Sequence, residues 1–224
     1  MMTAQIGLFV KLGLDAPPED GSVASAKSET VVINGASSSV GAFAVQLAKR
    51  AGYSVVGVAG QSGDLAKELG ADTVVDYRSK SDDELAHAVS NAAKQLGSLA
   101  AIYDAVSTDS TVAWLAQVSD SLGGGNITTV LPTKGESEPD SVPSGVKVVR
   151  TMVGSAYAED TAFATKWYPL IGKWLDDGSF KANKVKLIPG GLDGVAEGMK
   201  LLKGGKVNGV KLVYRISETK SLGP

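Results

Sequence analysis

The sequence predicts an α/β fold: a doubly wound parallel sheet of the Rossmann type with helices on both faces. Strand and helix patterns alternate along its 224 residues, which is typical of repeated βαβ units. The predicted strands are continuous apolar runs, as expected where helices cover both faces of a sheet. A glycine-containing turn joins the first strand directly to a helix, the position at which such sheets bind nucleotides.

The first elements follow from local patterns. A helix with apolar spacing over Ile6–Leu12 and a loop that contains Pro17, Pro18 and Gly21 fill residues 1–28. The first half of the sheet is predicted as strands Thr30–Asn34, Tyr53–Ala59 and Thr73–Asp76, alternating with helices Ser39–Ala51 and Asp64–Leu69. The second half is predicted as strands Leu99–Asp104, Asn126–Leu131 and Val146–Met152, with one helix opened by the capping box Ser81–Glu84 and another over Ser110–Ser121.

The end of the chain continues the alternation. It is predicted as helix Thr161–Asp176, strand Val185–Ile188, helix Gly194–Lys203 and strand Lys211–Ile216. We expect one domain over residues 1–216 and a loose tail over residues 217–224. Residues 181–224 hold nine Lys and Arg against three Asp and Glu. This excess favours a solvated lysine face, and a cationic edge beside an anionic cofactor is the alternative.

Composition excludes several classes of site. The chain has no cysteine, which excludes disulfides, thiolate metal sites and a cysteine nucleophile. Its single histidine, His87, lies in an amphipathic pattern and is predicted to be an ordinary helix residue, so no metal site is expected. The net charge of −2 gives no reason to expect nucleic acid or a membrane as partner. No apolar span or secretory signal is found, and we expect a cytoplasmic protein.

The turn over residues 35–41 is the strongest candidate site. Backbone N–H groups at the start of the following helix would face a pyrophosphate, where the helix dipole favours an anion. Measured against the pattern G-x-G-x-x-G, the turn has Ala36, Ser38 and Gly41, so only the third glycine is kept. A plain strand-to-helix turn with a serine cap explains the segment equally well.

Two families of NAD(P)-dependent enzymes use nearly this turn. The segment NGASSSVG resembles the short-chain dehydrogenases, but none of the six tyrosines is followed four residues later by the lysine of their catalytic pair. The chain instead resembles the nucleotide-binding domain of the medium-chain dehydrogenase/reductase superfamily, especially zinc-free fungal enoyl reductases and quinone-oxidoreductase-like proteins. The segments that carry the resemblance are GASSSVGAFAVQLAKRAG at 35–52, AKELGADTVVDYR at 66–78, YDAVS at 103–107 and PGGLDGVAEGMKLLKGGKVNGVKLVYRI at 189–216.

The resemblance implies a set of cofactor-binding residues. The pyrophosphate would lie on the turn, at Ser37, Ser38, Ser39, Val40 and Gly41. Tyr77 would lie near the adenosine ribose and its 2′-phosphate, and the nicotinamide ribose would be bordered by Val106, Ser107 and Leu131. Ordinary sheet packing explains Tyr77, Val106 and Leu131 at least as well. No catalytic residue is identified.

Cofactor choice depends on the residue that ends the second strand. An acid there would bind a ribose 2′-hydroxyl and repel a 2′-phosphate, and the segment Ala59–Gly63 contains none. We therefore expect NADP(H) rather than NAD(H). Ala59 and Gln61 stand where relatives carry a serine and a basic residue, so the clamp is expected to be weak. Gln61 and Ser62 remain as uncharged hydrogen-bond donors.

The family places a GroES-like catalytic domain before the nucleotide-binding domain, and this sequence contains none. We expect a fragment or a truncated relative, with residues 205–216 as a remnant of the segment that returns to that domain. Its expected function is NADP(H)-dependent reduction of an activated C=C bond or a quinone in a small-molecule substrate. We expect the chain to be incomplete as an enzyme and its chemistry to need no zinc. The alternative is a non-redox descendant, either a binding or assembly module or a protein with a repurposed cleft. A homodimer through the Val146–Met152 edge is also expected, and the alternative is an edge that Lys147 and Arg150 protect from pairing.

Overall fold

The computed structural model describes residues 1–220. They separate into two compact units, residues 1–181 and the residues from 182 onward. The larger unit contains the strands β1 (Glu29–Asn34), β2 (Ser54–Ala59), β3 (Thr73–Asp76), β4 (Ser98–Asp104), β5 (Gly125–Thr129) and β6 (Val146–Arg150). All neighbouring strands pair in parallel, in the order β3-β2-β1-β4-β5-β6. This is the doubly wound order, and the predicted Rossmann-type fold is confirmed.

The larger unit begins with helix α1 (Met2–Gln5), which continues as a π-helix over Ile6–Lys11. Its other helices are α2 (Ser39–Arg50), α3 (Gly63–Glu68), α4 (Asp82–Leu96), α5 (Asp109–Ser121), α6 (Lys134–Ser137) and α7 (Thr161–Asp176). The π-helical turn was not predicted. It brings the backbone of Gly7 onto the ring of Tyr103, where a Cβ would overlap the ring, and the Tyr103 hydroxyl donates to the Thr3 carbonyl at 3.1 Å.

Residues of β1 alternate between two apolar clusters, one on each face of the sheet. Val31 and Ile33 pack with α2, α7 and the leading helix, whereas Val32 packs with α4 and α5. All three side chains are fully buried. Burying a side chain of this size contributes about 1.5–3 kcal/mol, so both faces stabilise the strand. Coverage of both faces explains why the strands read as continuous apolar runs.

Strands β5 and β6 are each two residues shorter at the carboxyl end than predicted. Pairing between them ends at Thr129 and Arg150. Leu131 and Met152 continue the apolar pattern in the sequence but lie beyond the sheet and are exposed. The sequence pattern therefore extended both strands too far.

The predicted capping box at α4 is confirmed. Ser81 Oγ accepts a hydrogen bond from the Glu84 backbone, and the Glu84 carboxylate accepts one from the Ser81 backbone at 2.8 Å. The Ser81 backbone N–H lowers the pKa of Glu84. The acids in the first turn of α4 therefore stabilise the start of the helix. His87 is exposed on the same helix.

The smaller unit contains strand β7 (Val185–Ile188), helix α8 (Val195–Lys203) and strand β8 (Lys211–Tyr214). The two strands form a parallel pair, Val185 opposite Lys211. Strand β8 ends two residues before the predicted Ile216, because a 3-10 helix begins there. Of the predicted tail, residues 217–220 are described and residues 221–224 lie outside the described residues. All nine basic residues from 181 onward are exposed, which agrees with a solvated face.

No helix within residues 1–220 is long and apolar enough to cross a bilayer.

Candidate functional site

The turn between β1 and α2 lies at the carboxyl end of the sheet, where the strand order switches from β1 to β4. Gly35 opens it with φ of +70°, in the left-handed region that favours glycine. A Cβ on Gly35 would also lie 2.9 Å from Cγ2 of Val106, which follows β4. Glycine is therefore required here both for its conformation and for the close approach of the two strand ends.

Gly41 fixes the first turn of α2 against the same loop. A Cβ at this position would overlap the carbonyl oxygen of Gly35. Gly41 also donates its backbone N–H to Ser38 Oγ at 3.1 Å, so Ser38 caps the helix. The third glycine of the pattern thus has the close-packing role expected of it.

The turn leaves backbone donors available for an anion. Among residues 1–220, the N–H groups of Ser37 and Val40 have no acceptor. They lie at the N-terminus of a 12-residue helix, where the dipole favours negative charge. Free donors, close glycine packing and helix polarity together fit a pyrophosphate group.

Ser62 links this turn to the end of β2. Its Oγ lies 2.7 Å from Ser37 Oγ, so the two hydroxyls share a hydrogen bond. Gln61, the neighbouring predicted donor, lines a cleft of about 210 Å³ between the ends of β2 and β3. The structure therefore brings Ser62 to the turn and leaves Gln61 at a separate cleft beside it.

Tyr77 lies over Gly60 and is not packed within the sheet. Its side chain is 52% exposed, and a Cβ on Gly60 would lie 2.9 Å from two of its ring carbons and from its hydroxyl oxygen. Ordinary sheet packing, the alternative weighed for Tyr77, does not describe this position. No hydrogen bond joins Tyr77 to the turn within the described part of the chain.

Two cations that line the cleft were missed by the sequence reasoning. Lys67 reaches it from α3 and Arg78 from the residue after Tyr77. Arg78 donates to both carboxylate oxygens of Asp76, at 3.0 and 2.6 Å, and this side-chain interaction lowers the pKa of Asp76 to about 2. Lys67 has no ion-pair partner within residues 1–220. Arg78 follows Tyr77 directly in the sequence, and its position beside a predicted ribose contact was the signal that could have identified it.

Asp104, at the end of β4, holds the two sides of the crevice together. Its buried Oδ1 accepts hydrogen bonds from Asn34 Nδ2 at 2.9 Å and from the backbones of Val106 and Ser107, both at 3.0 Å. Its Oδ2 accepts from Thr111 Oγ1 on α5 at 2.5 Å. One buried carboxylate thus connects β1, the loop after β4 and helix α5, and the sequence reasoning did not identify it.

Ser107 lies beneath the crevice. It has φ of +62°, is 4% exposed, and its Oγ donates to the Asp104 carbonyl at 2.7 Å and accepts from the Val130 backbone at 2.8 Å. Val106 and Leu131, in contrast, are 41% and 53% exposed. Sheet packing therefore does not describe Val106 or Leu131, and the Ser107 hydroxyl already has internal partners.

The described residues do not offer a zinc site. No group of three or more His, Cys, Asp and Glu side chains converges within residues 1–220. The full sequence has one histidine and no cysteine. Nitrogen and sulfur ligands of the kind that zinc prefers are thus nearly absent, and no chemical step is assigned to a metal.

A family model described as zinc-binding dehydrogenase matches residues 39–165. The chain is 32% identical to a zinc-type alcohol dehydrogenase-like protein of Schizosaccharomyces pombe, over 96% of the chain and 63% of that protein. It is 33% identical to a trans-enoyl reductase of Alternaria alternata, over 93% of the chain and 60% of that protein. The chain therefore spans about three fifths of the length of these curated relatives.

Solved structures share the fold at low identity. A quinone oxidoreductase of Pseudomonas syringae has a TM-score of 0.68 at 23% identity, covering 95% of this chain and 61% of that one. A mycobacterial protein solved in complex with NADPH has a TM-score of 0.69 at 18% identity, covering 95% of this chain and 62% of that one.

Proposed function

The chain belongs to the zinc-binding dehydrogenase family, within the medium-chain dehydrogenase/reductase superfamily, and on that premise we propose that it binds NADP(H) and reduces an activated C=C bond or a quinone. The observation that carries the proposal is the anion cradle between Gly35 and Gly41 at the start of α2. Oxidoreductase names among the relatives and the NADPH complex of a protein with the same fold support it. Because the chain spans about three fifths of the length of its relatives, the reductase activity is proposed as well as the cofactor binding.

We assign the pyrophosphate to the turn residues Ser37 to Gly41. The unpartnered backbone N–H groups of Ser37 and Val40 would donate to its oxygens. Ser38 keeps the helix start fixed through its cap, and Ser62 supports Ser37 from the end of β2. These residues bind and orient, and they are not asked to donate or accept a proton.

NADP(H) is the proposed form because the cleft beyond β2 suits a 2′-phosphate. No acid ends β2, and the cleft is lined by Gln61, Lys67 and Arg78, with Tyr77 beside it. Two acids oppose this preference: Asp76, whose carboxylate holds the Arg78 guanidinium, and Asp64, which also lines the cleft. Lys67 would supply the charge that Gln61 lacks, and weak rather than tight phosphate binding is expected.

The nicotinamide ring is assigned to the exposed apolar residues Val106 and Leu131, with Ser107 supporting the loop from beneath. Bound NADPH supplies a hydride. No residue of the chain is assigned as proton donor, so the proton that accompanies the hydride would come from water. Tyr103 is excluded as that donor because its hydroxyl is buried, which raises its pKa, and already donates to Thr3.

The proposal also includes a homodimer. Strand β6 has β5 as its one sheet neighbour in the described chain, so its outer edge is open for pairing with a second copy. Exposed Lys147 on that strand is the feature that opposes pairing. Light scattering that gives the mass of a monomer at all micromolar concentrations would contradict this part.

An acceptor screen tests the redox proposal. Loss of NADPH absorbance is followed with a panel of small enones and quinones, at a cofactor concentration shown to be saturating. We expect oxidation that depends on the acceptor, at rates low against the ordinary enzymatic range of about 1–10³ s⁻¹. No oxidation with any acceptor, in a protein that binds NADPH, would contradict the reductase proposal and leave only cofactor binding.

A further inference from the structure

A second cavity lies at the carboxyl end of the sheet, apart from the cleft beyond β2. Its volume is about 550 Å³, and it is bounded by Asp109 at the start of α5, by the segment over residues 132–137 that includes helix α6, and by Arg150 at the end of β6. We call it the Arg150 cavity. The segment over residues 132–137 follows Leu131 directly, so the cavity adjoins the apolar position assigned above to the nicotinamide ring.

Arg150 presents a partly satisfied guanidinium to this cavity. Its Nε lies 3.4 Å from Glu136 Oε1, and its side chain is 32% exposed. Neither terminal Nη group has an acceptor among the described residues. Glu136 thus holds one side of the planar group and leaves two amino groups to bind an oxyanion, the geometry in which arginine pairs with carboxylate or phosphate.

Two neighbouring side chains offer further donors. The Lys134 backbone donates to Asp109 Oδ1 at 2.8 Å, which fixes this residue at the cavity wall, while its ammonium has no ion-pair partner within residues 1–220. Thr133 also lines the cavity, and the residue is 6% exposed. Its buried hydroxyl has no hydrogen-bond partner in the described chain.

The formal charges of the cavity lining sum to zero, but its hydrogen-bond donors outnumber its free acceptors. Asp109 and Glu136 balance Lys134 and Arg150, and each of the two acids already accepts from or pairs with a group of the cavity. The guanidinium and the ammonium can only donate. The lining therefore has donors in excess, and an acceptor-rich anion is the group that satisfies them.

We infer that the Arg150 cavity binds a carboxylate or phosphate group, and that this group is the anionic end of the substrate. The assignment to the substrate rests on the proposed function, because it depends on the nicotinamide ring lying at Leu131. The class of substrate is then an activated C=C compound or quinone that carries an acid at a distance from the reacting carbon. Anion binding by the cavity does not itself depend on the redox proposal.

Binding is measured directly with inorganic phosphate and, separately, acetate. Two resonances are followed in the full chain at constant ionic strength: the Arg150 Nε–H group, assigned by its loss in Arg150→Gln, and the Lys134 backbone amide at the cavity wall, which is kept in the variants and reports their affinity. We expect a saturable shift at millimolar anion. Arg150→Gln removes the charged hydrogen-bond donor, so it should weaken binding at least about tenfold. Glu136→Gln should strengthen it, since it removes a competing negative charge.

The matched control is Lys94→Gln, which removes a positive charge from an exposed position on α4, outside the cavity and away from the β6 edge. It should leave anion affinity unchanged. A change equal to that of Arg150→Gln would show a general charge effect and overturn the proposal. Absence of a shift at Arg150 Nε would also overturn the proposal. Anion affinity that is lost in Ser38→Asp and kept in Arg150→Gln would do the same, because it would show that the anion binds the turn.

A second measurement separates this inference from the proposed function. An enone acid is compared with its methyl ester in wild type and in Arg150→Gln, together with the affinity for NADPH. We expect the variant to bind NADPH as wild type does and to raise KM about tenfold for the acid alone. Equal effects on acid and ester would contradict the substrate assignment. If phosphate binds the cavity and no acceptor is reduced, the redox proposal fails and the anion site stands.

Discussion

The carboxyl edge of the sheet differs between its two halves. Beyond β1, β2 and β3 lie hydroxyls, free backbone donors and the charged groups of Lys67, Asp76 and Arg78. Beyond β4, β5 and β6 lie the exposed apolar side chains of Val106, Leu131 and Met152, with exposed fractions of 41%, 53% and 54%, while charged groups of this half line the Arg150 cavity. One half therefore suits phosphate and ribose and the other suits a flat apolar ring, although both halves belong to one parallel sheet.

Removing the connection between the halves should have the largest effect. In Asp104→Ala, the donors of Asn34, Val106, Ser107 and Thr111 lose their buried acceptor. We expect a loss of about 3–5 kcal/mol in the free energy of unfolding, measured in urea, because the variant breaks a buried charged network.

Asp104→Asn is the matched control for this prediction. Its remaining Oδ1 keeps three of the hydrogen bonds, and the Thr111 hydroxyl can rotate to accept from the new amide. It should cost much less than the alanine variant. Equal losses would mean that the charge, rather than the connection of the two halves, stabilises the crevice.

A change confined to the polar half should have the next largest effect. Gly41→Ala places a Cβ on the Gly35 carbonyl oxygen, so α2 must move away from the turn. We expect a loss of about 2–3 kcal/mol in unfolding free energy and loss of NADPH binding. Gly172→Ala in α7, where an added Cβ meets no atom within 4 Å, should be neutral or stabilising. Similar losses in both variants would contradict the close-packing role.

The charged cleft should affect the choice between NADPH and NADH. Lys67→Gln should weaken NADPH binding about three- to tenfold and leave NADH binding unchanged, since Lys67 is proposed to face only the additional phosphate. Asp76→Asn should tighten NADPH by a smaller factor, because it frees Arg78 from its carboxylate. Affinities are compared by tryptophan fluorescence. A loss for both cofactors in Lys67→Gln would place the lysine elsewhere on the ligand.

The smallest effect is a change in the titration of Asp76. Arg78 lowers the pKa of this exposed carboxyl to about 2 in the folded chain, below its ordinary value of 3.8. Its contribution to stability is therefore complete above pH 3.8 and is lost as the pH falls through about 2. NMR titration of Arg78→Gln should return the pKa toward 3.8. An unchanged pKa of Asp76 in Arg78→Gln would show that the Arg78 guanidinium does not cause the shift.

The polar half was more accessible to sequence reasoning than the apolar half. The turn is local, so Ser38 and Gly41 could be placed from the strand and helix that flank them. Asp104 and Asn34 are 70 residues apart, and their hydrogen bond depends on β1 and β4 being neighbours. Leu131 and Met152 were assigned to strands because apolar periodicity does not distinguish a buried residue from an exposed one past the last pair. Lys67 faces the cleft only through the packing of α3 on β3.

The central claim is that the turn at the start of α2 holds the cofactor's pyrophosphate. NADPH is titrated against the fluorescence of Trp114, Trp167 and Trp174 in wild type and in Ser38→Asp. Aspartate caps a helix as well as serine, so the variant keeps α2 and adds a charge that repels the pyrophosphate. The matched control is Ser25→Asp, which makes the same substitution at an exposed position in the loop before β1, at the opposite end of the strand.

We expect saturable binding in wild type and Ser25→Asp, and at least about a hundredfold weaker binding in Ser38→Asp. Absence of saturation in wild type at roughly millimolar NADPH, or equal affinity in Ser38→Asp, would contradict the assignment of the turn.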